Sequence, residues 1–173
     1  MNISLEQTLK TWDGKRTELL QHYYREYGCD EEGKFLVQLI KDPTYQKGAS
    51  WLLKHHLEQK GKISAQVQQE LTKQLKALDL WEARLHLLQI IPLIKILPST
   101  LLAWEDFVRA NLDADNKFIR AWALHGLFEL SLLRPELQQE VQFLCDKALQ
   151  HEAASVQARV RKIVEKLQKL NGK

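Results

Sequence analysis

Residues 115–127 read DNKFIRAWALHGL, and their spacing decides the fold. Counted from Ile119, an acid (Asp115) stands four positions before, Arg120 one after, and Ala123 and Leu127 four and eight after. Positions zero, four and eight share one face of a 3.6-residue helix, so this segment is predicted to lay an apolar stripe against a neighbour. The register returns in residues 79–91, DLWEARLHLLQII, as Asp79, Ala83, Arg84, Leu87 and Ile91. Weaker copies run through Tyr45, Ala49 and Leu53, and through Val156, Val160 and Val164. In the first copy the acid is shifted by one, to Asp42, and Gln46 fills the basic slot; in the last, Glu152 and Gln157 take those places. The leading residues of the four copies lie 38, 36 and 37 residues apart, a period that marks stacked supersecondary units.

The flanking punctuation agrees. Helices are predicted at about 31–41, 43–60, 64–78, 80–96, 99–112, 116–133, 135–150 and 154–170, with Pro43, Pro98 and Pro135 at first turns and Gly28, Gly33 and Gly61 at boundaries. Ser4 is a fitting N-cap for a first short helix carrying Leu5, Leu9 and Trp12, and a second carries Leu19, Leu20, Tyr23, Tyr24 and Tyr27. With 7 glycines and 4 prolines in 173 residues and no strand-like segment, the chain is expected to be all-α. Gly48, Pro92 and Gly126 fall inside expected second helices, where close packing or a kink is anticipated.

An Asp followed by an apolar–Arg–x–x–Ala–x–x–x–Leu run on the second helix of an αα-hairpin resembles the HEAT repeat family. The resemblance covers residues 30–170 and implies a right-handed α-α superhelix of four hairpins (30–61, 62–97, 98–133 and 134–173) behind N-terminal capping helices in residues 1–29, all one continuous domain. It also implies that Arg84 and Arg120 reach toward Asp79 and Asp115 as a structural ladder joining repeats. Some HEAT-like proteins are di-iron hydroxylases with repeated His-Glu pairs, but His-Glu occurs here once, at His151-Glu152. Others are glycosylases for alkylated bases, with Trp and Asp beside a basic channel; Trp104-Glu105-Asp106 falls on a first helix, away from any such channel.

Composition narrows the function classes. Lys and Arg number 25 against 22 Asp and Glu, a net charge of +3, and only the last third leans basic, so a dedicated polyanion binder is not indicated. Cys29 and Cys145 lie far apart with no ligand-spaced His or Cys, which reads as two free thiols in a reducing, cytoplasmic setting. The start of the chain lacks a signal-peptide pattern, and the most apolar stretch, Leu85 to Leu97, is broken by His86, Gln89, Pro92 and Lys95, so no membrane partner is expected. The six histidines occupy different helical columns, and there is no phosphate loop, nucleophile elbow or Cys-His pair. No catalytic, cofactor or metal residues are therefore assigned, and the chain is read as non-enzymatic.

What remains is surface. Facing away from the hairpin stripe, the two middle second helices place Leu85, Leu88 and Gln89, then Leu124, His125 and Phe128, where a solvated helix carries polar residues. With Trp51 these define an expected groove for a partner helix or peptide, rimmed by Lys47, Lys54, Arg161 and Lys162. The alternative cover is internal, with the N-terminal helices folded across it. The expected function is a protein-binding scaffold or adaptor, whose partner is another protein or a second copy. The second reading is a nucleic-acid-associated protein using the basic rim. Arg159, Lys162, Lys166, Lys169 and Lys173 also share one face of the last helix, expected to be a solvated capping face.

Overall fold

In the computed structural model, residues 5–27 and 32–171 are described; the readings at Ser4, Gly28, Cys29 and Lys173 lie outside them. Among the described residues the chain forms ten α-helices and no strand. It divides into two compact units, Met1–Ala103 and Trp104–Lys173, the division falling a few residues past the expected start of the third repeat.

The first unit holds α1 (Leu5–Thr11), α2 (Thr17–Tyr27), α3 (Glu32–Leu39), α4 (Pro43–Glu58), α5 (Ala65–Thr72) and α6 (Trp81–Ile90). α4 is its axis, packing against α3, α6, α1 and α2. The repeat column explains why: Ala49, Leu53, Ala83 and Leu87 are fully buried, each Leu contributing about 1.5–3 kcal/mol of apolar burial. Gly48 lets α1 close on α4, since a Cβ there would stand 2.7 Å from Leu9 Cδ2. α6 is shorter than the predicted 80–96. It ends at Ile90, and Pro92 sits in a following 3-10 turn, Ile91–Leu93, because proline has no N–H to continue the helix. α5 is also shorter than predicted: it stops at Thr72, and a 3-10 turn, Leu75–Ala77, carries the chain toward α6.

The acid column does not cap as its position suggests. Asp42, the shifted acid, is the N-cap of α4 and accepts from Thr44 N at 2.8 Å, ahead of Pro43. Asp79 lies one residue before Leu80, the N-cap of α6, which has no side-chain cap of its own. Gln46 from the preceding hairpin instead holds the two residues just ahead of the helix. Its Oε1 accepts from Asp79 N at 3.1 Å and Leu80 N at 3.0 Å, while its Nε2 donates to Ile40 O at 3.3 Å. Gln46 is 1% exposed, so its amide is committed to these bonds, that to Ile40 O being fully buried.

The second unit holds most of α7 (Leu101–Arg109), α8 (Lys117–Ser131), α9 (Gln138–His151) and α10 (Ala154–Asn171). α10 packs on α8 and α9, and α8 packs on α9 and on the 3-10 turn Pro135–Leu137. Ile119, Ala123, Leu127, Val156 and Val160 are buried. Asn116, not Asp115, caps α8, accepting from Phe118 N at 2.9 Å. Arg120 grips Glu152 with a two-pronged fork, Nε to Oε1 at 2.6 Å and Nη2 to Oε2 at 2.8 Å, while its Nη1 donates to the backbone carbonyls of Ala114 and Asp115. The expected rung therefore forms with the acid of the next copy and not with the Asp115 carboxylate. Arg84 makes no such rung with Asp79; its Nε is buried without a hydrogen-bond partner among the described residues. A second network joins α7 to α9: buried Glu105 accepts from Arg109 Nε at 2.9 Å and from Arg134 Nη1, and Arg109 forks onto Glu140.

Removing the buried amide isolates the contribution of this cross-hairpin cap. Gln46→Leu preserves volume but leaves the Ile40 carbonyl and two N–H groups unpaired, and is expected to cost about 2–3 kcal/mol in urea unfolding. A loss below about 0.5 kcal/mol would show that the α6 start is held by packing alone.

Candidate interaction face

The expected groove residues divide by burial. Trp51, Leu88, Leu124 and Phe128 are buried, at 9%, 0%, 5% and 1% exposure, whereas Leu85, Gln89 and His125 are partly exposed. Trp51 is covered from within. Trp12, just past the end of α1, lies against it at 5.9 Å between ring centroids, His55 stacks on it at 5.0 Å and 15°, and Lys54 Nζ lies 5.6 Å from its ring centre. Lys47 lies likewise over Trp12 at 5.7 Å, and Lys54 also pairs with Glu58 at 3.0 Å. These two expected rim lysines are thus committed within the first unit. The N-terminal helices supply the internal cover over α4, and Tyr24 OH extends it with a 3.1 Å contact to His56 Nδ1.

One Ser–His pair occurs in this unit, and its surroundings give it a structural part. Ser50 Oγ donates to Lys47 O at 3.0 Å, so at the 2.9 Å contact with His86 Nδ1 the hydroxyl oxygen accepts from the ring. Ser50 has no exposure through which a substrate can reach it. Burial, and then the charge of Lys54, push His86 down to about 3. Cys145 is buried in the second unit, and burial pushes its thiol up to about 12, which removes thiolate chemistry near neutral pH. Among the described residues no group of three His, Cys, Asp or Glu is arranged to hold a metal ion, and no helix is long and apolar enough to cross a membrane.

The second unit builds a different surface where α8 meets α10. His125 sits at its centre. A guanidinium can only donate, so at the 3.2 Å contact with Arg159 Nη1 the ring's Nδ1 accepts, and the proton rests on Nε2, which faces Glu129 Oε1 at 3.2 Å. The hydrogen bond from His125, followed by the charge on Lys166, holds the Glu129 carboxyl below the usual carboxylate range against the opposite push of burial. Lys166 Nζ reaches Glu129 Oε1 at 3.3 Å and lies 5.4 Å over Phe128. Arg159 Cζ lies over the Trp122 ring, 3.5 Å from its centroid, with Trp122 itself partly exposed. Burial lowers the Arg159 pKa. Arg161 and Lys162 stand exposed on α10, Arg161 donating to Gln157 Oε1 at 3.3 Å.

Trp122 and Glu129 were not singled out by the sequence reading. The signal existed: Trp122 and Arg159 both stand three residues after the leading apolar residue of their copies, one period apart. The same spacing relates Glu129 to Lys166 and Ser50 to His86.

Phe128, with His125 stacked on it at 6.2 Å and 19°, is core. Phe128→Ala is expected to cost about 3–5 kcal/mol in denaturant unfolding; a cost under about 1 kcal/mol would return it to the surface. His86 gives an acid-side prediction. Its folded pKa lies below the ordinary histidine value of 6.5, so the unfolded chain binds more protons in between. Stability therefore falls as pH drops from 6.5 toward 3, by at most about 1.4 kcal/mol per pH unit from this group. His86→Gln retains a donor for Ser50 and should flatten that limb in unfolding at about pH 4 and about pH 7; equal slopes in both proteins would remove His86 as its origin. No family model, curated protein or solved structure matches the chain.

Proposed function

We propose that the protein is a non-catalytic protein-binding module, a superhelix of HEAT-like hairpins whose partner engages the partly open α8–α10 face. The observation that carries this reading is the layered contact of Arg159, Trp122 and His125, a half-exposed aromatic and cationic group fixed in place by its neighbours. Aromatic and arginine side chains held rigid before binding lose little entropy on association and are the usual anchors of protein interfaces. The repeat reading is supported by cross-hairpin contacts at about one sequence period within each unit: Gln46 to Asp79, Ser50 to His86, Arg120 to Glu152 and Glu129 to Lys166. In this view Trp51 and Phe128 are structural, and Trp122, His125 and Arg159 are the contact residues.

Affinity capture with wild type and Trp122→Ala in parallel tests it. The variant is expected to bind the captured protein roughly tenfold more weakly or worse, a hot-spot effect, with its melting temperature little changed. Retention of the same partners at unchanged affinity would overturn the assignment of this face. Capture of nucleic acid by wild type, falling steeply between about 50 and 200 mM salt, would put the nucleic-acid reading in its place.

A further inference from the structure

The four other described arginines of the second unit have acceptors. Arg109 is held by Glu105 and Glu140, Arg120 by Glu152, and Arg134 by Glu105 and Glu136. Arg161 donates to Gln157. Arg159 differs. Among the described residues no carboxylate lies within ion-pair distance of it, and its hydrogen bond from Nη1 goes to a neutral imidazole nitrogen. It is nonetheless partly buried, a costly condition for a guanidinium without a counter-ion.

The geometry also says which edge is spent. The Trp122 ring holds the guanidinium carbon and His125 takes Nη1, while the edge formed by Nε and Nη2 has no acceptor among the described residues. That is the edge with which Arg120, one hairpin earlier, grips both oxygens of Glu152. Glu129, the acid bound to His125 on its other ring nitrogen, is also engaged by Lys166. A chain of contacts runs Lys166, Glu129, His125, Arg159 and stops at an open fork. One turn further along α10, exposed Lys162 adds a second positive charge with no ion pair among the described residues.

We propose that the α8–α10 face is a carboxylate-recognition site that takes a short acidic segment of the partner protein, with the Arg159 fork gripping one carboxylate and Lys162 attracting a second. This deepens the protein-binding reading and rests on it. The distribution of charge favours a compact acidic segment over a polynucleotide. Over Ala154–Asn171, α10 carries Arg159, Arg161, Lys162, Lys166 and Lys169 against Glu165 alone, whereas residues 104–153 of the unit carry 9 acids against 5 Lys and Arg. The basic excess of the unit is thus concentrated on a single helix, and a phosphate backbone requires a basic track that continues across several elements.

The test uses the full chain and three probes: an oligo-glutamate peptide, an oligo-glutamine peptide as neutral control, and a single-stranded DNA oligonucleotide. The readouts are affinity at low salt and the Arg159 Nε–H signal in nitrogen–proton NMR. Oligo-glutamate is expected to bind and move that signal, and oligo-glutamine to do neither. R159K keeps the charge but loses the planar fork, and is expected to bind oligo-glutamate roughly tenfold more weakly with an unchanged melting temperature. The proposal is overturned if oligo-glutamate fails to bind, binds without moving the Arg159 signal, or binds R159K as tightly as wild type. It is equally overturned if the oligonucleotide moves the signal at lower concentration than oligo-glutamate does. None of these failures touches the broader protein-binding reading, which stands or falls on the Trp122→Ala capture.

Discussion

A helix that begins against another helix must find acceptors for the N–H groups at its start. In the first unit that constraint is met from the preceding hairpin. Leu80 at the α6 N-cap has no acceptor side chain, and the amide of Gln46 on α4 supplies one, tying α6 to a single register on α4. The apolar columns then have a fixed neighbour: Ala49 and Leu53 on one helix, Ala83 and Leu87 on the next, all fully buried. Apolar burial provides most of the free energy, but it is tolerant of small slides; the directed bonds of a buried glutamine are not. In the second unit Arg120 performs the same service for α10, gripping Glu152 two residues before that helix begins.

The N-terminal helices follow from the same logic. A second helix with apolar residues on two faces needs cover on both, and α4 receives it from α3, α6, α1 and α2. Leu5, Leu9, Trp12 and Leu20 all bury themselves in the first unit, with Gly48 providing the close approach. Lys47 and Lys54 then lie over the indole rings of Trp12 and Trp51, extending their stems along apolar surface as long cationic side chains do. Their charge is attached to aromatic faces and to Glu58, which is why a basic rim read from spacing does not stand free in this unit.

Much of the architecture was legible in the sequence because it rests on period and punctuation. The apolar columns, the helix starts at Pro43 and Asn116, and the all-α class follow from spacing alone. Capping was less legible, because it turns on a single position: Asp42 caps, whereas Asp79 and Asp115 stand one residue too early. Pro92 truncates α6, a rule the sequence offered and apolar continuity obscured. The face assignment of Phe128 and Leu88 differed for a deeper reason. A helix apolar nearly all round has no polar side to mark the outside, so residue type cannot distinguish an open groove from a face already covered. At His125 and Arg159 the surface is identified only by which partners each side chain has found.

Those partners give the α8–α10 face its character. Burying a cation partly and leaving it without a counter-ion costs stability, and the second unit has carboxylates enough to avoid this, as Arg109, Arg120 and Arg134 show. At Arg159 the loss of hydration is offset by the Trp122 ring, whose face attracts the guanidinium without occupying its N–H groups. A carboxylate in that place would satisfy the fork and close it. An indole leaves the donors oriented, partly desolvated and open, and His125 withholds one of them from rotation. Such a group is rigid before it binds, and the cost of ordering it has been met in folding. The arrangement is poor as a means of stabilising the unit and well suited to holding an anion that arrives from elsewhere.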